Sequence, residues 1–282
     1  MAVGAVLAAL GADVWALTAV TALVSGAGAV TAARFGLKPS GSIFFIFATA
    51  AVGSVPHGAP VWLAARSAAA AAGFCILLGT GAHLLGEGRI HEPLGRLTSN
   101  LTARELAGQF GRFTAAPLLG GALGIAATQL LPGLSHSYWA MVAAAAPISA
   151  PHRSARVIRG LHRIVGTLAG VAVTALLLAF PAQPWQLVLD VIVLQFAAEV
   201  LVTRNYALAL LFITPLALTM TQLGSPQPVG GLVASRAAET AIGAAAGIAV
   251  VLLGFRTEGR ERRRAREAAR GPGHSAQGDR HG

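Results

Sequence analysis

WQLVLDVIVLQFAAEVLVTR, residues 185–204, decides the fold class. It is a mostly apolar run of about twenty residues, the length a helix needs to cross a bilayer core. Yet it holds Asp190 and Glu199 in its interior. At ~100° per residue Asp190 shares a helical face with Gln186, while Glu199 shares the opposite face with Gln195. A charge in hydrocarbon costs ~2.5–3.5 kcal/mol on insertion scales, so each carboxylate requires a partner or a wet cavity. Two different neighbours are implied.

The rest of the chain has the same character. Of 282 residues, 55% are hydrophobic and 11% charged, too apolar for an ordinary soluble domain. Charged residues gather in short stretches between ten apolar runs, at 2–12, 14–33, 40–55, 60–86, 114–131, 134–150, 160–180, 185–203, 205–223 and 231–255. The expected class is an all-α, polytopic membrane protein of about ten transmembrane helices. No Lys or Arg precedes Arg34, so residues 1–33 read as mature membrane helix and not as a signal peptide.

Arg and Lys placement orients the chain. Counting back from the basic tail, the connectors with Arg204, with PHRSARVIRGLHR (151–163), with the Arg-containing linker 87–113 and with RFGLK (34–38) all fall on one side. The connectors GSPQPVGG, PAQP, PGLSH and VPHGAP, which lack Arg and Lys, fall on the other. By the positive-inside rule the Arg side and the C-terminus are cytoplasmic, and the use of Arg with Lys38 as the only lysine, beside abundant Ala and Gly, suggests a GC-rich bacterial genome. The net charge of +10 fits anionic lipid headgroups. Nucleic acid is not the expected partner, because no aromatic residue follows Phe255 to stack on bases.

The two ends of the apolar region match at a constant offset of 170: Trp15 with Trp185, Arg34 with Arg204, Arg66 with Arg236, and Gly73 with Gly243. Such self-similarity points to two homologous halves. Both halves end on the cytoplasmic side by the charge pattern, so they are parallel repeats. The expected organisation is an N-terminally incomplete first repeat over 1–86, a cytoplasmic linker over 87–113, a complete second repeat over 114–255, and a basic, disordered cytoplasmic tail over 256–282. The first repeat lacks the equivalent of about two and a half spans. In the linker, Thr102-Ala-Arg-Glu105 fits a capping box and predicts a short amphipathic helix.

Two constellations carry chemistry. Arg236, Thr240, Gly243 and Gly247 fall on one helical stripe with Glu239 at its border, so small residues permit close helix approach beside the Arg. Arg236 and Asp190 lie at similar depth and are expected to pair. Arg66 has no equivalent acid, because position 20 is Val, and it remains available for an anion. Asp190, Glu199, Arg236, Glu239 and Arg66 are therefore the substrate or proton candidates. The second constellation is RVIRGLHRIVGTLAG, where Arg159, Arg163, Gly166 and Gly170 share a stripe and Thr167 adjoins it. Arg156, Arg159 and Arg163 would attract anions at the cytoplasmic mouth, above a seam made by Gly166, Thr167 and Gly170.

Arg163-x-x-Gly166-Thr167-x-x-Gly170, preceded by Tyr138-Trp139-Ala140 and followed by Arg204-Asn205-Tyr206-Ala207 and FITPLAL, resembles the fusaric acid resistance protein-like (FUSC) family, related to bacterial aromatic acid exporters. The resemblance covers most of 114–255 and, more faintly, Arg34 to Phe47. It implies a two-half inner-membrane protein and, for some members, efflux of aromatic or other organic acids driven by the proton gradient.

An enzyme is not expected: there is no P-loop, His-Glu-x-x-His or Ser nucleophile elbow. No cofactor is called for. The lone Cys75 and the singly placed His57, His83, His91, His136, His152 and His162 suggest neither a disulfide nor a metal site. The expected function is proton-coupled efflux of small organic or aromatic anions. The alternatives are a non-transporting scaffold or subunit of a larger assembly, and a passive anion channel. Partners are membrane lipids, a small organic anion, and a second copy or a partner subunit.

Overall fold

The computed structural model describes residues 1–37, 41–55, 60–86, 101–131, 133–134, 137–150, 153–202 and 204–269. Among them are ten helices: α1 (Ala2–Ala9), α2 (Val14–Arg34), α3 (Ile43–Gly53), α4 (Val61–Leu84), α5 (Ala103–Leu130), α6 (Tyr138–Ile148), α7 (Arg153–Leu177), α8 (Pro184–Val202), α9 (Tyr206–Gly224) and α10 (Val229–Ala269). Each overlaps one of the ten apolar runs. Seven are long and apolar enough to cross a membrane. The protein is thus a polytopic helical membrane protein.

The other three are short. α1, α3 and α6 have 8, 11 and 11 residues, about 12–17 Å at the rise of an α-helix. A bilayer core is ~30 Å thick, so these three cannot cross it alone. Local breakers explain the ends: Gly11 stands at φ 63° after α1, Gly41 at φ 105° before α3, and Pro147 closes α6.

Two segments differ from the sequence reading. The amphipathic helix expected in the linker is the beginning of α5, continuous with the span. Its capping box is formed: the Thr102 backbone N–H donates to Glu105 Oε2 at 2.8 Å, and the Glu105 N–H to Thr102 Oγ1 at 3.3 Å. No proline separates Ala103 from Thr114, and the helix runs on through Gly108 and Gly111. The region after Phe255, expected to be disordered, continues α10 to Ala269, because its Arg, Ala and Glu residues are good helix formers. Linker residues 87–100 and the tail beyond Ala269 lie outside the described residues.

α6 is the centre of the packing. All eleven of its residues are buried, and it lies against α5, α10, α7 and α3. Its run of small residues lets neighbouring backbones approach. A Cβ on Gly243 or Gly247 of α10 would collide with the backbone of Ala140 or Ala144; one on Gly120 of α5 would meet the same two residues, and one on Gly124 Ser137 and Ala140. α7 approaches α9 similarly: Gly166 faces the Ala207 carbonyl and Leu210, and Gly170 faces Thr214. α2 joins the bundle through α5, where the Ser25 hydroxyl donates to the Phe113 carbonyl at 2.6 Å.

Overpacking a tight contact costs ~1–3 kcal/mol. Gly243→Val is expected to lower the unfolding midpoint in detergent, measured by circular dichroism. Gly73→Val, where a Cβ meets nothing within 4 Å, is expected to leave it unchanged.

Candidate functional site

α6, α7, α9 and α10 enclose a buried polar cluster. Its centre is Arg236, 1% exposed, whose guanidinium carbon lies 3.8 Å from the centroid of the Trp139 ring. Trp139 is fully buried, with the tilted ring of Tyr138 at 4.6 Å and the ring of Phe47 edge-on at 5.1 Å between centroids. Glu239, 0% exposed, lies three residues along α10 from Arg236, and Thr240 lies one turn on. A guanidinium over an indole face gains ~0.5–2 kcal/mol. That gain does not satisfy its N–H groups. Among the described residues, Nε and Nη1 of Arg236 have no hydrogen-bond partner, nor has the Trp139 indole N–H.

A second group sits on α7 and α9. The Arg159 guanidinium stacks 4.2 Å from the centroid of the Tyr206 ring. Arg163, 4% exposed, donates from Nη1 to the same tyrosine's hydroxyl at 3.4 Å, while its Nε has no partner. One turn beyond Arg163 is Thr167, and across from Gly170 is Thr214. The hydroxyls of Thr167, Thr214 and Thr240 are buried without hydrogen-bond partners among the described residues. α7 and α10 are packed together and run in opposite senses, so the turn after Arg163 and the turn after Arg236 converge.

Unsatisfied buried donors cost ~1–3 kcal/mol each, more for charged groups, and arginine keeps its proton in almost any environment. The cluster therefore presents fixed positive charge, N–H and hydroxyl donors, and aromatic faces. That donor set suits an organic anion with a flat ring: the carboxylate on a guanidinium, the ring on Trp139 or Tyr206.

The sequence candidates divide into those brought together and those kept apart. Arg236, Glu239 and Arg163 meet in the cluster, with Arg159 beside it. Arg156 instead donates from Nε to the Ala150 carbonyl at 2.8 Å, a local bond at the start of α7. The expected Arg236–Asp190 pair is not formed. α8 packs on α9, whereas Arg236 faces α6, and Asp190 is half-buried on α8. Glu199 is exposed and accepts from Gln195 Nε2 at 2.7 Å. Arg66 is exposed on α4, 5.2 Å from the Trp62 ring centroid. Gly166, Thr167, Gly170, Gly243 and Gly247 all lie buried in the seams between these helices. The aromatic partners Trp139 and Tyr206 were not among the sequence candidates. Their signal was present: Tyr138-Trp139 and Tyr206 each open an apolar run.

Tyr206→Phe removes the hydroxyl and keeps the ring under Arg159. It is expected to cost about 1 kcal/mol, measured by urea unfolding in micelles. Tyr206→Leu, which removes the stack as well, is expected to cost about 0.5–1 kcal/mol more.

A 125-residue stretch, 44% of this chain, is 30% identical to the uncharacterized membrane protein YvaC of Bacillus subtilis (strain 168). It covers 20% of YvaC, so the chain spans only part of that relative's length. No solved structure matches the chain. Residues 115–250, which contain α6 to α9 whole, most of α5 and the apolar part of α10, match the fusaric acid resistance protein-like (FUSC) family.

Proposed function

We propose that this chain is a transport unit of a bacterial inner membrane, moving small organic anions with a planar aromatic ring outward through the α6–α7–α9–α10 cluster. The observation that carries this reading is Arg236: a fully buried guanidinium on an indole face with two N–H-bearing nitrogens unpartnered. The family name, fusaric acid resistance protein-like, supports an aromatic acid as cargo and export as its direction. The Arg-bearing connectors support a cytoplasmic C-terminus, with Arg159 and Arg163 on the side where cargo enters.

The chain is built as two parallel halves at the offset of 170, the second of them over 114–255. Proton coupling resides in Glu239. It shares a helix turn with Arg236 inside the cluster, whereas Asp190 and Glu199 lie on the far side of α9. Cargo and proton occupy the cluster in turn: the anion leaves Arg236 outward, and Glu239 then takes a proton on the outer side and releases it inward, so that proton entry drives export. The Thr167, Thr214 and Thr240 hydroxyls line the way between the two arginine groups.

The test is retention of a radiolabelled aromatic carboxylate in cells with and without the protein. Truncating one member of a buried charge contact costs ~2–5 kcal/mol, so Arg236→Leu is expected to lower apparent affinity by about 30-fold or more. Glu239→Gln is expected to keep binding, read as quenching of Trp139 fluorescence, and to abolish the dependence of export on the pH gradient. Asp190→Asn is expected to change neither. Equal retention with and without the protein sinks the transport reading. Loss of coupling on Asp190→Asn or Glu199→Gln, with Glu239→Gln unaffected, moves the proton site to α8.

A further inference from the structure

Arg163, Thr167, Gly170 and Thr174 form a stripe along the buried side of α7. A threonine in a helix has the carbonyl one turn back within reach of its hydroxyl. Thr174 uses it, donating to the Gly170 carbonyl at 2.7 Å, and Thr221 on α9 donates likewise to Ala217 at 3.0 Å. Thr167, and Thr214 on α9, do not. Both hydroxyls are fully buried and have no hydrogen-bond partner among the described residues, and the same holds for Nε of the buried Arg163.

The helix registers bring these donors near one another. α7 and α9 run in the same sense, with Gly166 against Ala207 and Leu210, and Gly170 against Leu210 and Thr214. Thr214 therefore meets α7 within one turn of Thr167. On the other flank Gly160 of α7 faces Ile248 of α10, and the antiparallel run from that contact brings Thr167 alongside Thr240. The Thr240 hydroxyl is a third buried one without a hydrogen-bond partner among the described residues.

Hydroxyls serve a cation or an anion equally well, so the surroundings decide the sign. Arg159 and Arg163 lie on α7 and Arg236 on α10, and the last two are near enough to repel each other. Against these three guanidiniums, the apolar spans of α6, α7, α9 and α10 hold one carboxylate, Glu239. Positive charge is in excess, and arginine does not shed its proton to relieve it. The complement is an anion.

Its size follows from the seam. A Cβ on Gly166 would come within 2.6 Å of the Ala207 carbonyl oxygen, and one on Gly170 within 2.6 Å of the Thr214 Cβ. Helices in such contact leave room beside Thr167 and Thr214 for a single atom and none for an aromatic ring.

We propose that the seam between α7 and α9 seats a halide, chloride in the cell, on Arg163 Nε and the hydroxyls of Thr167 and Thr214. The ion lies between the two arginine groups and offsets their repulsion, through charge-assisted hydrogen bonds from all three donors. It is a ligand beyond the aromatic cargo, whose carboxylate is assigned to Arg236.

The experiment titrates the purified full chain in detergent with radiolabelled chloride by equilibrium dialysis, with sodium gluconate holding the ionic strength constant. The expected result is saturable binding of one chloride per chain, displaced by bromide. Thr167→Val and Thr214→Val keep the side-chain shape and remove the hydroxyl. Each is expected to weaken chloride binding about tenfold without lowering the unfolding midpoint in gluconate alone. Thr174→Val, whose hydroxyl is already held by Gly170, is expected to leave chloride affinity unchanged. Three results overturn the inference: binding that does not saturate, binding that survives both the Thr167 and the Thr214 change, or binding weakened as much by Thr174→Val. Export of a radiolabelled aromatic carboxylate by a chain that binds no chloride refutes the halide seat and leaves the transport reading standing. Equal retention of the aromatic acid with and without a protein that does bind chloride keeps the seat and removes the transport reading.

Discussion

Everything in the second half of this bundle depends on how closely backbones can approach α6. That helix is too short to cross a bilayer and is buried along its whole length. Inside a membrane there is little hydrophobic drive between helices, so association relies on close packing and interhelical polar contacts. Ala140 and Ala144 supply the flat surface, and Gly120, Gly124, Gly243 and Gly247 supply the absence of side chains that lets α5 and α10 close on it. A residue with a Cβ at these glycines would push α10 away, and with it Arg236 from Trp139.

That coupling of packing to chemistry explains why arginine is tolerated where it stands. Arg236 is three residues from Glu239 and seven before Gly243, so the stripe that fixes α10 against α6 also fixes the guanidinium over the indole. On α7 the same logic recurs, with Gly166 and Gly170 drawing the helix onto α9 and setting Arg159 and Arg163 around Tyr206. Charge is held in apolar surroundings by aromatic faces, with Glu239 three residues from Arg236 on the same helix. Such a site leaves directional N–H capacity for a visiting anion.

Much of this was legible in the sequence, because a bilayer simplifies the code. Apolar run length, glycine and proline breakers, and the gathering of charge in connectors located all ten helices. The stripe Arg236, Thr240, Gly243, Gly247 could be read from helical periodicity alone. What periodicity cannot supply is the order of helices around the bundle. Asp190 and Arg236 looked like partners because depth and charge matched, but α9 and α7 stand between their helices. The merging of the capping-box helix into α5 was hidden for a different reason: a change from polar to apolar composition marks where a helix enters the membrane, not where it begins.

The brevity of α6 also bears on synthesis. Among its neighbours, α5 is made before it, but α10 is made only after α7, α8 and α9. At ~5–20 residues per second, the interval between completing α6 and completing its clasp is on the order of 5–20 s. During that time a segment with too little length to anchor itself must be retained by α5 or by the insertion machinery. The closing of α10 on α6 is therefore the step that commits the assembly of these helices.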